Sequence, residues 1–232
     1  MSIRGASVKL RFRGQRRRGG VTAATVVLNH AHPAELRLAA AQARLVTGRS
    51  MIVAVDGGLN VCRAARTAPD LFVGDADSVS VPPVGLPELR FPTDKDFSDF
   101  AAALRELVAR KIEVVTVAGL LGGRLDHEWS NLQEAGRWAP NFAGILATSE
   151  RGTVAITSRG CRAETTRGRT VSLFPLGAAP TVTLRGTRWE LQRRRVRPGS
   201  LGLSNITGTR LDLNVHAGTV ALVFIPPNLT GL

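Results

Sequence analysis

Met51-Ile52-Val53-Ala54-Val55-Asp56-Gly57-Gly58 is an apolar run, three of its five apolar residues β-branched, that stops abruptly on an acid and two glycines. A strand buried in a parallel sheet reads this way, apolar on both faces and closed by a turn. The pattern recurs on either side. Thr25-Val26-Val27-Leu28 precedes it, and Leu71-Phe72-Val73, Glu113-Val114-Val115-Thr116-Val117 and Gly144-Ile145-Leu146-Ala147 follow. Helical segments separate these runs. Pro33 to Val46 is rich in Ala and Leu; Phe100, Ala103, Leu104, Leu107 and Val108 fall at helical spacing behind Ser98 or Asp99 as cap; Leu125, Trp129 and Leu132 form a further stripe. Strands alternating with helices predict a parallel sheet with helices on both faces. Trp129 and Trp138 read as packing residues.

After about residue 149 the texture changes. Val154–Thr157, Thr170–Phe174, Val182–Leu184, Arg210–Val215 and Val220–Ile225 are short apolar runs separated by Gly, Pro, Ser or Arg, with no helical pattern between them. This predicts an all-β sandwich or open barrel over residues 149–232, after an α/β domain over 21–148. Residues 1–20 hold seven of the 31 basic residues and no acid, and are expected to be a disordered arm. The arm lacks the apolar centre of a secretory signal; it has some likeness to an arginine-rich targeting segment or an upstream extension.

Composition narrows the function. The 232 residues are 44% apolar, enough for a sizeable core. Cys62 and Cys161 are too few for a disulfide framework, and the four histidines have no zinc spacing. No stretch of about 18 apolar residues suits a membrane span. The formal charge of +13 falls to +6 without the arm, and nucleic acid is not expected as the main partner.

The polar motifs sit where strands end. Asp56-Gly57-Gly58, Gly74-Asp75-Ala76-Asp77-Ser78 and Gly119-Leu120-Leu121-Gly122-Gly123-Arg124-Leu125-Asp126 each follow a predicted strand directly. Ligands of open parallel sheets bind at the carboxyl ends of the strands, so three such segments converge on one edge. Each alone is a common turn; their joint placement points to phosphate chemistry. Asp75 and Asp77, aimed together by a turn at Gly74, and Asp96 and Asp99, three apart at a helix start, supply hard oxygens for magnesium. Uncompensated carboxylates would repel, so a cation gives them a reason to cluster. Lys95 and Arg124 suit phosphate oxygens, Arg124 by a two-pronged contact, while Gly122 and Gly123 admit close backbone approach.

The ordered set of Asp56-Gly57-Gly58, Pro69–Ser78, Phe91–Asp99 and Gly119–His127, continued by Gly186-Thr187-Arg188-Trp189, Pro198-Gly199-Ser200 and Gly202-Leu203-Ser204-Asn205, resembles thiamine pyrophosphokinase over roughly residues 25–226. The resemblance implies transfer of the terminal diphosphate of ATP to the thiamine hydroxyl, with AMP released, by a cytoplasmic homodimer. It implies an ATP-binding α/β domain, a thiamine-binding β-sandwich, and an acceptor site at the subunit interface. By the same resemblance Asp75, Asp77, Asp96 and Asp99 form the magnesium and phosphate site, with Arg124 and Asp126 at the phosphates and reacting hydroxyl. Asp56, Gly57, Gly58, Lys95, Ser98, Gly122 and Gly123 fall to ATP. Trp189 would stack on thiamine, and Ser204 and Asn205 would contact its pyrimidine. Three departures stand out: Asn29-His30 after the first strand, Ala101 where the family often has an acid, and the basic run Arg193-Arg194-Arg195. A related pyrophosphokinase acting on another small alcohol, such as a hydroxymethylpterin, is the nearest alternative; Trp189 and Ser204-Asn205 favour thiamine. A glycosyltransferase built on Asp75-Ala76-Asp77 would leave the later motifs unexplained.

Overall fold

The computed structural model describes residues 8–14, 23–47, 50–92 and 94–226. Their elements in chain order are β1 (Lys9–Phe12), β2 (Ala23–Val27), α1 (Pro33–Thr47), β3 (Ser50–Val55), α2 (Gly58–Ala64), β4 (Leu71–Val73), β5 (Glu88–Leu89), α3 (Asp99–Ala109), β6 (Val114–Ala118), α4 (Leu125–Trp138), β7 (Gly144–Ser149), β8 (Gly152–Thr157), β9 (Gly160–Glu164), β10 (Thr170–Thr187), β11 (Leu191–Arg195) and β12 (Asn205–Phe224). They fall into two units, one built on residues 17–134 and the other on residues 135–232 together with β1.

In the first unit the strand order is β6-β2-β3-β4-β5, and every pairing is parallel. β2 and β6 are buried at every position, as strands covered on both faces must be. Thr25 and Thr116 meet this constraint by bonding to each other, their hydroxyl oxygens 2.9 Å apart. One apolar cluster joins Leu36 and Ala39 of α1, Leu59 and Cys62 of α2, and Val27, Ile52, Ala54, Phe72 and Ala118 of the sheet. α3 packs on β3 and β4 through residues outside that cluster. The register matters most for function. Val27 lies opposite Ala54 and Ala118, and Val55 opposite Val73, so four strands reach their carboxyl ends at the same level.

Two local predictions sharpen here. Ser98, not Asp99, caps α3: its Oγ accepts from the Ala101 amide at 3.1 Å. α2, starting directly behind Asp56-Gly57, was not foreseen, because two glycines masked a seven-residue helix.

The second unit is all β apart from the end of α4 and the short turn Ala139–Asn141. β10 and β12 run in opposite directions: the partner number falls along β12 as it rises along β10, from Val171 opposite Phe224 to Leu184 opposite Leu213. On its other edge β12 pairs with β9 through Arg210–Asn214 and with β8 through Val220–Phe224. β10 and β12 are thus two long strands, and each contains two of the short runs read from sequence. β7 pairs antiparallel with β8 across the tight connection Ser149–Gly152 and falls in the second unit. A connection that short cannot return a chain in parallel. The two units divide near Glu134.

The basic arm also needs correction where it is described. Lys9–Phe12 is a strand, not disordered chain, paired antiparallel with β9. Asp212 holds it by ion-pairing Arg13, and Arg162 at 3.1 Å. Phe12 packs where Gly144 has no side chain. Residues 1–7 and 15–20 of the expected arm lie outside the described residues.

Candidate active site

The aligned strand ends of the first unit set three acids beside one another. Asp56 ends β3 with φ +45°, and its amide donates to Val73 O at 3.0 Å, which fixes the turn against β4. Gly74, with φ +143°, makes the next step possible: a Cβ there would overlap Asp56 Oδ1. Ala76 then adopts φ +67°, and the Asp77 amide donates to Asp75 Oδ1 at 3.1 Å. This tight turn folds the alternating pair back on itself. Carboxylate oxygens of Asp56, Asp75 and Asp77 consequently lie within 4.8 Å of one another.

Lys95 stands against this cluster. Its side chain is only 9% exposed, with Nζ 3.2 Å from Asp99 Oδ1 and 3.9 Å from Asp75 Oδ2. Asp56 Oδ1 is buried and receives no hydrogen bond. Burial, then the adjacent Asp99 and the charges of Asp75 and Asp77, push the Asp56 carboxyl up to about 7. Carboxylates gathered this closely around one lysine have the character of a cation site. Its donors, all carboxylate oxygens, fit magnesium. Asp96 is exposed, precedes the helix that Asp99 begins, and lies outside the three-acid group.

Ser78 and Asn60 brace the acidic turn. The Gly57 amide donates to Ser78 Oγ at 3.0 Å, and Asn60 Nδ2 to Ser78 O at 3.0 Å. Gly57 and Gly58 serve close approach, since side chains there would overlap Asn29 Oδ1 and Val27 O. Neither Asn60 nor Asp56 as a member of the acid cluster was anticipated. For Asp56 the signal was present, an acid at a strand end before two glycines.

The loop after β6 carries the remaining residues. Gly123, with φ +79°, leaves room for the His30 ring, which meets His127 edge-on with centroids 6.1 Å apart. The Gly122 amide donates to Glu128 Oε2 at 3.0 Å. Arg124 does make a two-pronged contact, but with Asp126: Nε to Oδ1 at 3.1 Å and Nη2 to Oδ2 at 2.6 Å. Those hydrogen bonds pull the exposed Asp126 carboxyl down to about 2 and raise Arg124. Leu125 and Trp129 join Arg124 and Asp126 around a cavity of 750 Å³. Trp129 is 66% exposed, so it is not the packing residue its helical spacing suggested.

In the second unit, Trp189 presents a ring that is 55% exposed, with the Arg188 guanidinium carbon 5.0 Å from its centre. Asn205 is buried and spends its amide on the Trp189 backbone: Nδ2 donates to Trp189 O at 2.7 Å, and Oδ1 accepts from Trp189 N at 3.1 Å. Asn205 therefore holds the tryptophan in place. Ser204 is exposed at φ +55°, its amide bonded to Ser172 Oγ at 3.0 Å.

Comparison with known proteins bears on both units. Residues 43–145 match the family model of the thiamin pyrophosphokinase catalytic domain, and residues 160–218 that of the thiamin pyrophosphokinase vitamin B1 binding domain. No curated protein matches the sequence. Among solved structures, the thiamine pyrophosphokinase of Bacillus subtilis is 18% identical with a TM-score of 0.71, covering 88% of this chain and 99% of its own. The thiamin pyrophosphokinase of Geobacillus thermodenitrificans is 19% identical with a TM-score of 0.68, covering 88% and 97%. That of Candida albicans is 13% identical with a TM-score of 0.68, covering 94% and 98%. These structures share the mixed α/β fold.

Proposed function

The chain belongs to the thiamin pyrophosphokinase family, and from that premise we propose how its own residues carry out diphosphate transfer. Members of the family are diphosphotransferases that use ATP and thiamine. In atoms, the thiamine hydroxyl oxygen bonds to the β-phosphorus of ATP, the bond from that phosphorus to the α–β bridging oxygen breaks, and AMP leaves with that oxygen. The hydroxyl proton is released. Such a transfer needs positioning and charge neutralisation more than covalent catalysis.

The observation that carries the reading is the convergence of Asp56, Asp75 and Asp77 at aligned strand ends, with an orphaned carboxylate oxygen and Lys95 beside them. Asp75 and Asp77, with Asp56 now added, would hold a magnesium ion, which when bound supplies positive charge that neutralises the phosphates. Asp99 acts beside them by fixing Lys95, whose ammonium faces the incoming phosphate charge. Asp96, exposed before the helix, is retained as an outer ligand. Gly57, Gly58 and Ser98 shape the ATP site through backbone approach and capping, and the Gly122-Gly123 turn sets Arg124. Arg124 exchanges Asp126 for phosphate oxygens when ATP enters, because both are two-pronged anionic partners. The released Asp126 then orients the thiamine hydroxyl and accepts its proton. Trp189 stacks on the cationic thiamine ring and is held at that angle by Asn205, with Ser204 nearby in sequence offering a polar contact.

The architecture behind this reading is a parallel sheet with helices on both faces, followed by a β-sandwich. α1 and α2 in one cluster and α3 outside it support the first part, and the long pair β10 and β12 the second. A homodimer is supported by Leu125 and Trp129, one helical turn apart on α4 and both mostly exposed. No helix among the described residues is long and apolar enough to cross a membrane; the cytoplasmic location is carried by the family resemblance alone. Thiamine diphosphate formation should vanish in chelator, return with magnesium, and fall at least about 100-fold in Asp77→Asn. Activity that survives the chelator, or an active Asp77→Asn protein, would overturn the metal site.

A further inference from the structure

The charge of the chain is unevenly divided. Residues 17–134 hold thirteen basic and fourteen acidic residues, whereas residues 135–232 hold thirteen arginines and four acids. Within that excess, Arg193, Arg194, Arg195 and Arg197 fall inside five positions, all exposed, and surround a cavity of 720 Å³ completed by residues including Ser200 and Leu201. A regular strand would send consecutive side chains to opposite faces. Here Arg193 has φ +43°, and β11 carries one more residue than β10 between the pairs Leu184–Leu191 and Val182–Arg194. That bulge breaks the alternation and lets neighbouring arginines border one hollow. The backbone beneath them is fixed: the Arg193 amide donates to Thr183 Oγ1 at 3.1 Å, and Val196 is fully buried with its amide on Pro180 O at 2.8 Å.

Among the described residues none of the four forms an ion pair with an acid. Four permanent charges so placed repel one another, and their guanidinium forks match phosphate oxygens. We propose that this arginine-lined hollow binds the polyphosphate group of a small molecule, two or three linked phosphates, without a metal ion. The hollow has the volume of a small-ligand site, and the charges are concentrated at one spot rather than strung along a track, which favours a compact polyanion over a nucleic acid. The inference rests on the second unit alone and is independent of the roles assigned to the aspartates.

Inorganic tripolyphosphate titrated calorimetrically into the full chain, in chelator, tests it. One ion should bind per chain, with affinity that weakens as salt rises. Arg194→Gln/Arg195→Gln/Arg197→Gln should bind at least about tenfold more weakly. The single variant Arg195→Gln, at an exposed position, should show a loss of about threefold or more and guards against a folding defect in the triple change. Unaltered affinity in both arginine variants, or no saturable binding to the parent, overturns the proposal. So does a single-stranded oligonucleotide that binds at least tenfold more tightly per phosphate, which would assign the hollow to nucleic acid.

Discussion

Asp56 is held at the end of β3 with its carboxylate against Gly74, Asp75, Asp77 and Asp99. Burial and its acidic neighbours raise it to about 7, whereas an unfolded aspartate titrates near 3.9. The sign of the linkage follows: the folded chain keeps a proton that the unfolded chain has lost. Its contribution to stability is full below about pH 4 and disappears as pH rises through 7. In chelator, the melting temperature should fall between pH 5 and pH 8. Asp56→Asn should flatten that fall, and magnesium at pH 8 should restore stability; an unchanged slope in the variant would contradict the cluster's electrostatics. Trp189 and Asn205 form the second residue-level pair. Trp189→Ala should raise the thiamine KM with the ATP KM little changed. Asn205→Ala leaves two Trp189 backbone groups without their partner, at a cost of about 1–3 kcal/mol, and should raise the thiamine KM as well. The resemblance marked Trp189 as the aromatic that stacks on thiamine. It could not show that Asn205 faces the Trp189 backbone, because that contact joins residues sixteen apart.

The turn after β4 shows what an element contributes. Gly74 is required twice, by its φ of +143° and by the Asp56 oxygen that occupies the place of a side chain. Gly74→Ala should therefore lower both stability and magnesium affinity, measured by thermal melting with and without the ion. A variant with parental magnesium affinity would show that the acids reach the ion some other way. The strands of the first unit were legible because burial on both faces leaves continuous apolar runs. α2 was hidden by its glycines, and β5 by having only two residues. In the second unit the short runs were real, but pairs of them join into β10 and β12. A long strand interrupted by glycine, and in β10 also by proline, looks like two short ones in sequence. β11 was missed for a different reason: its arginines carry the charge of a loop while its backbone pairs with β10.

At the scale of the molecule, the ordered succession of motifs identified the family although no single motif does. The acidic cluster depends on a register that places Val27, Ala54, Val73 and Ala118 near one level, and strand alternation with strand-end motifs anticipates that geometry. That β7 also opens a hairpin with β8 was not legible, since apolar content does not show which partner a strand takes. The exposed Leu125 and Trp129 belong to this scale also. Light scattering should give twice the 24.7 kDa chain mass, and Trp129→Glu should shift the protein toward the monomer. A parent that is monomeric at assay concentration would remove the dimer from the account. The central claim is the diphosphate transfer itself. It is tested most directly by incubating the purified chain with ATP, thiamine and magnesium and quantifying the products. The account predicts AMP and thiamine diphosphate in equal amounts; ADP with thiamine monophosphate, or no thiamine phosphate at all, would contradict it.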